Sequence, residues 1–458
     1  MNISTLFIVL LSSLFSIEFK SGDAFCFENI DPDIKIKNPK PRDLFRGQLN
    51  KTSKLLSGEA LRAKTGSGES IREIVIFEFD SSYNRGLELR KYSGTERYTK
   101  HSGYYLQWSR AKNNSFTYIH NNGTKYQLRY SFYSIRDQIF KKMKPLNKDP
   151  NTFNNVFTPE YITDYTSIID YGEAKAKDGY FVSYLSNNQI ILSTNHSDFS
   201  YRSNFFESSK SKLLNNPQTL DIFYNNGEYD AIISFKGDST EQDLHYFCSF
   251  HLDPISYENR QITLYPKDIS INPPYGYQMQ GSFSHTGEYV AFLNQRINTS
   301  EDAVIGDKKD VFDLYTFKID SRENLCLSSY EENISNRLDD YKQIDTNLEN
   351  FHDMQLDELG LDYAWHPTEN IIFYVNMLTL NNSTKVYSLR YYNLDSDSGP
   401  IELLSSNGTL AYPSISPDGK YVVFSFFGAP NGIDFKNCDG CCMDADAYRI
   451  GVIELIQM

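Results

Sequence analysis

Three thiols within five residues, Cys438-Asp439-Gly440-Cys441-Cys442, form the densest chemically competent group in the chain. Close cysteines can hold zinc or run thiol exchange. A zinc site would need a fourth ligand, and a redox pair usually sits at a helix start, whereas this cluster falls between two strands. A disulfide staple on that loop is therefore the favoured chemistry. The chain carries six cysteines (Cys26, Cys248, Cys326, Cys438, Cys441 and Cys442), an even count compatible with full pairing whose connectivity the sequence leaves open. A bridge from Cys26 to the cluster would lock one end of the chain to the other.

Other chemistry-bearing groups read as structural. His285 and His366 fall in the turns of a repeat, one position out of register with each other. Asp395-x-Asp397-x-Gly399 has its glycine one place early for a calcium loop and no closing glutamate, so it reads as a connecting turn. Asp339, Asp340, Asp345 and Glu349 lie in an acidic insert, Arg337 to Glu358, expected on a solvated loop. There is no Gly-x-Ser-x-Gly nucleophile elbow and no His-Glu-x-x-His zinc motif. No residue is assigned a catalytic or metal-binding role, and no cofactor is expected.

The net charge of −14 argues against binding a phosphate backbone, which needs a basic stripe. Thr5 to Ile17 is an apolar run of signal-peptide length, too short for a membrane span, and Gly22-Asp23-Ala24 offers a small-x-small cleavage site. The expectation is a leader over 1–24, a single domain over 25–458, and a secreted protein without a membrane span. Asn50, Asn113, Asn122, Asn195, Asn298, Asn333, Asn381, Asn382 and Asn407 head Asn-x-Ser/Thr sequons, which makes them glycosylation candidates on that route.

The elements that would position any site are strands. Tyr412 to Phe427 reads as two strands around the turn Pro417-Asp418-Gly419, and Tyr421 to Phe427 is apolar or aromatic on both faces, as in a strand covered on two sides. Phe223 to Tyr229, Phe283 to Tyr289 and Ile415 to Tyr421 share one seven-residue pattern, and Trp365 to Ile371 is a fourth copy with Glu369 in place of the glycine. Four short strands recur per unit. Ile135, Ile139 and Met143 are spaced for a short helix, and no clear period runs through Arg46 to Ser67. The fold class is all-β: a β-propeller of four-stranded antiparallel blades, seven by this reading and six as the alternative. The last unit supplies only three strands, and Ile34 to Lys37 is expected to complete it.

Ser416-Pro417-Asp418-Gly419-Lys420, flanked by Pro413-Ser414-Ile415 and Tyr421-Val422-Val423-Phe424, resembles the repeat of TolB-like β-propellers. That resemblance implies a propeller with a binding or scaffolding role; the variable loops at a propeller's ends make a protein or glycan the expected partner, and the net charge excludes nucleic acid. The alternative is a carbohydrate-active lyase or hydrolase with its site in the propeller channel. Two carboxylates about 5 to 10 Å apart would mark hydrolysis, and several His around a metal would mark the lyase.

Overall fold

The structure, a computed structural model, describes residues 17–27, 43–63, 70–79, 277–295, 362–380, 384–396, 398–428, 430–436 and 447–458, together with Asn114 and the strand residues named below. Strand β1 (Phe19–Phe27) comes first. A sheet follows from β2 (Leu44–Leu49), β3 (Leu55–Ala63), β4 (Ser70–Glu78) and β5 (Tyr92–Ser93). The next is β6 (Ser102–Trp108), β7 (Ser115–Asn121), β8 (Tyr126–Ser134) and β9 (Ile139–Lys141). Then come β10 (Asp170–Glu173), β11 (Phe181–Leu185), β12 (Gln189–Thr194) and β13 (Ser200–Asn204).

Strands β14 (Pro217–Asn225), β15 (Glu228–Lys236), β16 (His245–Pro254) and β17 (Ile262–Leu264) make the fourth sheet. The fifth is β18 (Tyr277–Phe283), β19 (Tyr289–Gln295), β20 (Val311–Lys318) and, past a two-residue β21 (Cys326–Leu327) that leaves for β16, β22 (Tyr341–Glu349). The sixth is β23 (Tyr363–Trp365), β24 (Ile371–Thr379), β25 (Lys385–Asn393) and β26 (Ile401–Ser406). The last joins β27 (Leu410–Ile415), β28 (Tyr421–Phe426) and β29 (Arg449–Gln457) to β1. No helix occurs among the described residues.

Packing explains why β28 is apolar on both faces. All six of its residues are buried. Val422, Phe424 and Phe426 join a core with Phe373, Leu389 and Tyr391 of the preceding sheet, while Tyr421 and Val423 join another with Val75, Phe77 and Leu56 of β2–β5's sheet. A strand has a side-chain period of two, so a sheet between two others needs apolar residues at every position. The first strands also meet: β27 lies against β2 and β23, and β14 against β10 and β18. Four-stranded antiparallel sheets stacked face to face around shared first strands are the propeller architecture.

Several expectations are corrected. Completion of the last sheet falls to β1, not to Ile34–Lys37, which lie outside the described residues; β1 pairs β29 from Phe19↔Gln457 to Phe27↔Ile450. Ile139 lies on β9, hydrogen-bonded beside β8 through Ser134↔Ile139, where a helix was expected. The acidic insert contains β22, and its Asp345 accepts hydrogen bonds from Tyr374 Oη (2.9 Å) and Arg390 (3.1 Å) of the next sheet. Its charge is used between sheets. The stretch without a period holds most of β2 and all of β3.

The hairpin turns share one hydrogen-bond scheme. Ser416 Oγ accepts from the N–H groups of Lys420 (3.1 Å) and Tyr421 (2.9 Å), and Ser284 Oγ accepts from Tyr289 N–H (3.1 Å). At the matching place, Asn50 Oδ1 accepts from Lys54 (2.9 Å) and Leu55 (3.0 Å) N–H. Leu49 to Leu55 is thus a further copy of the pattern, with Ser53 (φ 52°) where Gly287 and Gly419 stand (φ 73° and 72°). A Cβ on Gly419 would sit 2.4 Å from His366 Nε2 of the preceding sheet, so the residue there needs both positive φ and no side chain. Gly419→Ala is expected to cost about 2 kcal/mol and Ser53→Gly to gain up to about 1 kcal/mol, from the left-handed penalty and the clash. Urea unfolding of the two variants checks both signs.

Candidate active site

The first strands carry a repeated irregularity. In β2, β6, β18 and β27 two residues face one on the partner strand: Arg46-Gly47, Tyr105-Leu106, Gln280-Gly281 and Tyr412-Pro413. Such bulges re-aim a side chain and raise local twist. The register pairs Leu49↔Leu56, Ile415↔Val422 and Trp365↔Ile372 align three consecutive sheets, and that alignment places Arg46, Tyr412 and Asp362 at one repeat position. Arg46 and Tyr412 hold left-handed backbone, φ 49° and 50°, a strained conformation for residues of their size.

One repeat position therefore delivers a carboxylate, a phenol and a guanidinium from neighbouring sheets. The Arg46 guanidinium stands 4.9 Å from the Tyr412 ring centroid, and the Arg46 N–H donates to Ser425 Oγ at 3.0 Å. Glu59 on β3 pairs with Phe45, immediately before the bulge. All four groups are buried, Arg46 at 9%, Tyr412 at 6%, Glu59 and Asp362 at 4% exposure. Burial pushes the Tyr412 phenol far above its usual range, and the negative charges of Asp362 and Glu59 raise it further against the pull of Arg46. Tyr412 thus stays a protonated donor. The buried Tyr363 phenol is raised too, first by desolvation and then by Asp221 and Asp362, so Asp362 acts on both rings.

Both tryptophans of the chain tie this inner region together. Trp108 Nε1–H donates to Gln48 O and Ser57 Oγ, each at 3.0 Å, and Trp365 Nε1–H donates to Ser282 Oγ at 3.0 Å. Each indole, at the end of a first strand, clips the sheet before it.

The sequence candidates fall elsewhere. His366 occupies the turn-capping position of Ser284 and Ser416: its Nδ1 accepts from the N–H groups of Thr368 (3.3 Å) and Glu369 (3.2 Å), which leaves Nε2–H to donate to Gly419 O at 3.3 Å. Burial lowers its pKa from the usual 6.5, more than Gly419 O and the Glu369 and Asp418 charges raise it. The folded state therefore holds fewer protons than the unfolded chain just below that value. Stability is expected to fall as pH drops through the window below 6.5 and to level off above it. His366→Ser, which keeps a capping oxygen, is expected to flatten that slope in melts taken between pH 5 and 7.

Asn50, a sequon residue, is 0% exposed, and its Nδ2 donates to Asn114 Oδ1 at 2.8 Å. Its amide holds a turn, and the nitrogen a glycan would occupy is engaged. Asn407 is exposed in the bend between β26 and β27. Asn113, Asn122, Asn195, Asn298, Asn333, Asn381 and Asn382 lie outside the described residues, as do Cys438, Cys441 and Cys442. Cys26 is buried on β1, and Cys248 on β16 stands opposite Cys326 on β21. Asp395 accepts at both carboxylate oxygens from Asn370 Nδ2 (3.2 Å each), which makes its loop a turn tied to the neighbouring hairpin.

The fold defines the class: an all-β propeller of four-stranded antiparallel sheets. No protein-family profile and no curated protein matches the chain. Among solved structures, the chain is similar to the β-propeller domain of the Trilobed protease from Pyrococcus furiosus, at 8% identity over 87% of this chain and 98% of that one, TM-score 0.44. It is also similar to the tricorn protease (8% identity, 84% of this chain, TM-score 0.30), of which it spans only 28%. A thermostable family-43 glycoside hydrolase matches at 11% identity over 64% of this chain and 89% of that one, TM-score 0.30. These are likenesses of fold. Other solved structures among the matches are a puromycin-hydrolyzing peptidase, a prolyl oligopeptidase and a xylosidase. Against the expectation of a non-catalytic binding or scaffolding protein, the similar solved structures are mostly peptidases and glycoside hydrolases.

Proposed function

We propose that this protein is a carbohydrate-active hydrolase whose site lies among the inner strands at Arg46, Glu59, Asp362 and Tyr412. The observation that carries the reading is that two buried carboxylates act on one protonated phenol beside a guanidinium, with the phenol and the guanidinium at bulges of neighbouring sheets. Glycosidic hydrolysis needs a carboxylic acid to protonate the leaving oxygen and a carboxylate to activate water or form the glycosyl intermediate. Glu59 and Asp362 are that pair. Tyr412 donates to a substrate hydroxyl or ring oxygen, and Arg46 compensates negative charge in a low-dielectric setting. Hydrolysis is preferred over the lyase because His366 is committed to its turn.

The same reading takes the ring as closed, with seven blades of TolB-like repeats, supported by the seven sheets and the β1–β29 pairing. It takes the chain as secreted, with Asn407 open to glycosylation. Removal of a leader over 1–24 would take Phe19 to Ala24 from β1. Cys26 pairs with a cysteine of the 438–442 cluster. Support comes from Cys26 being held as half of a disulfide and from Lys436 N–H donating to Ala24 O at 2.9 Å, which lays the chain approaching Cys438 beside β1. The reading is tested by incubating the purified chain with a panel of plant, fungal and animal oligosaccharides and following new reducing ends. Turnover of one glycan class is expected; no release from any of them would end the reading.

A further inference from the structure

We propose that Cys248 and Cys326 form a disulfide that fastens the connection between β20 and β22 onto the preceding sheet. The two residues are register partners in the antiparallel pairing of β16 with β21, next to Phe247↔Leu327. Directly opposed residues in such a pair have Cα atoms about 4.5 or 5.5 Å apart, and a disulfide spans Cα separations of about 4.4 to 6.8 Å, so either kind of rung suits the bond. Cys248 is also the rung partner of Ile233 on its other side, which fixes its strand in mid-sheet.

The topology gives the bond a task. Strand β17 covers only the Leu252–Pro254 end of β16, leaving the rest of that edge without a β17 partner. Strand β21 fills part of the gap, yet it is two residues long and belongs to the chain of the next sheet. Two rungs are a weak tether, and an uncovered strand edge invites foreign strands. A covalent link makes the crossing permanent. In forming it, the two thiols lose two protons and two electrons to a disulfide oxidant (a protein or glutathione disulfide), which leaves as two thiols.

The bond rests on the oxidising compartment of the secreted reading but not on the hydrolase assignment. The test uses the full chain in two forms, one secreted from eukaryotic cells and one refolded with glutathione disulfide. Each is alkylated with N-ethylmaleimide under denaturing conditions and digested without reduction. The expected result, in either form, is a peptide pair linked through Cys248 and Cys326 that separates on reduction. If only the refolded form shows the link, the pairing stands and the compartment fails. Alkylation of either residue in both forms, or linkage of either to Cys26, Cys438, Cys441 or Cys442, overturns the proposal. Cys326→Ser is expected to turn Cys248 from unlabelled to fully alkylated without changing the other four cysteines; an unlabelled Cys248 in that variant also overturns it.

Discussion

A chain that starts at Ala24 instead of Ile17 is expected to lose on the order of 5 kcal/mol of stability, from the lost Phe19 core packing and the buried polar groups left without partners. Phe19 is buried against the rings of His366, Phe373 and Tyr391, with centroids 5.6, 6.2 and 5.7 Å away. Emptying a core Phe site alone costs about 3 to 5 kcal/mol. Its backbone matters as well: Phe19 N–H donates to Tyr391 Oη at 2.7 Å, and that hydroxyl donates back to Phe19 O at 3.2 Å. Shortening the chain strands the Tyr391 hydroxyl in a residue that is 0% exposed. Met458 N–H, which donates to Glu18 O at 2.9 Å, loses its partner too. Net stability of a domain is about 5 to 15 kcal/mol, so the shortened form should be largely unfolded or melt far lower. Calorimetry of both forms decides it, and equal midpoints would mean that β1 seals nothing.

The second large effect is on activity. Under the proposed hydrolase reading, Glu59→Gln and Asp362→Asn are each expected to lower kcat by about 10²- to 10⁴-fold on whichever glycan the panel identifies, because each would remove one proton-transferring or nucleophilic carboxyl. Both changes keep side-chain volume, so unfolding midpoints report whether the site has collapsed. Tyr412→Phe removes only a donor and should cost about 10-fold or more. A structural ion cluster would behave differently: stability would fall in the carboxylate variants while kcat held within a few-fold. That outcome would remove Glu59 and Asp362 from the chemistry.

What the sequence makes legible follows from periods and turns. Tyr412 to Phe427 announces its hairpin because Gly419 supplies the positive φ and β28 is apolar at every position. The copy at Leu49 to Leu55 is hidden because Asn50 and Ser53 do the work of Ser416 and Gly419 without the same letters. Strand β22 is hidden by its polar outer face, with Ile344 its buried apolar anchor. Strand β1 is masked by its apolar approach, which reads as the tail of a leader. The site is illegible for a different reason. Arg46, Asp362 and Tyr412 become equivalent only once the register pairs are known, and a bulge is a property of two strands together. No local pattern in either strand records it.

The two terminal strands run antiparallel with Phe19 opposite Gln457, so the polypeptide enters and leaves that sheet at the same end. Tension applied between the termini would load one rung at a time, peeling β1 from β29 like a zipper instead of shearing all rungs at once. Strand β1 must also wait for β29, which is synthesised long after it, so sealing can occur only once β29 has left the ribosome.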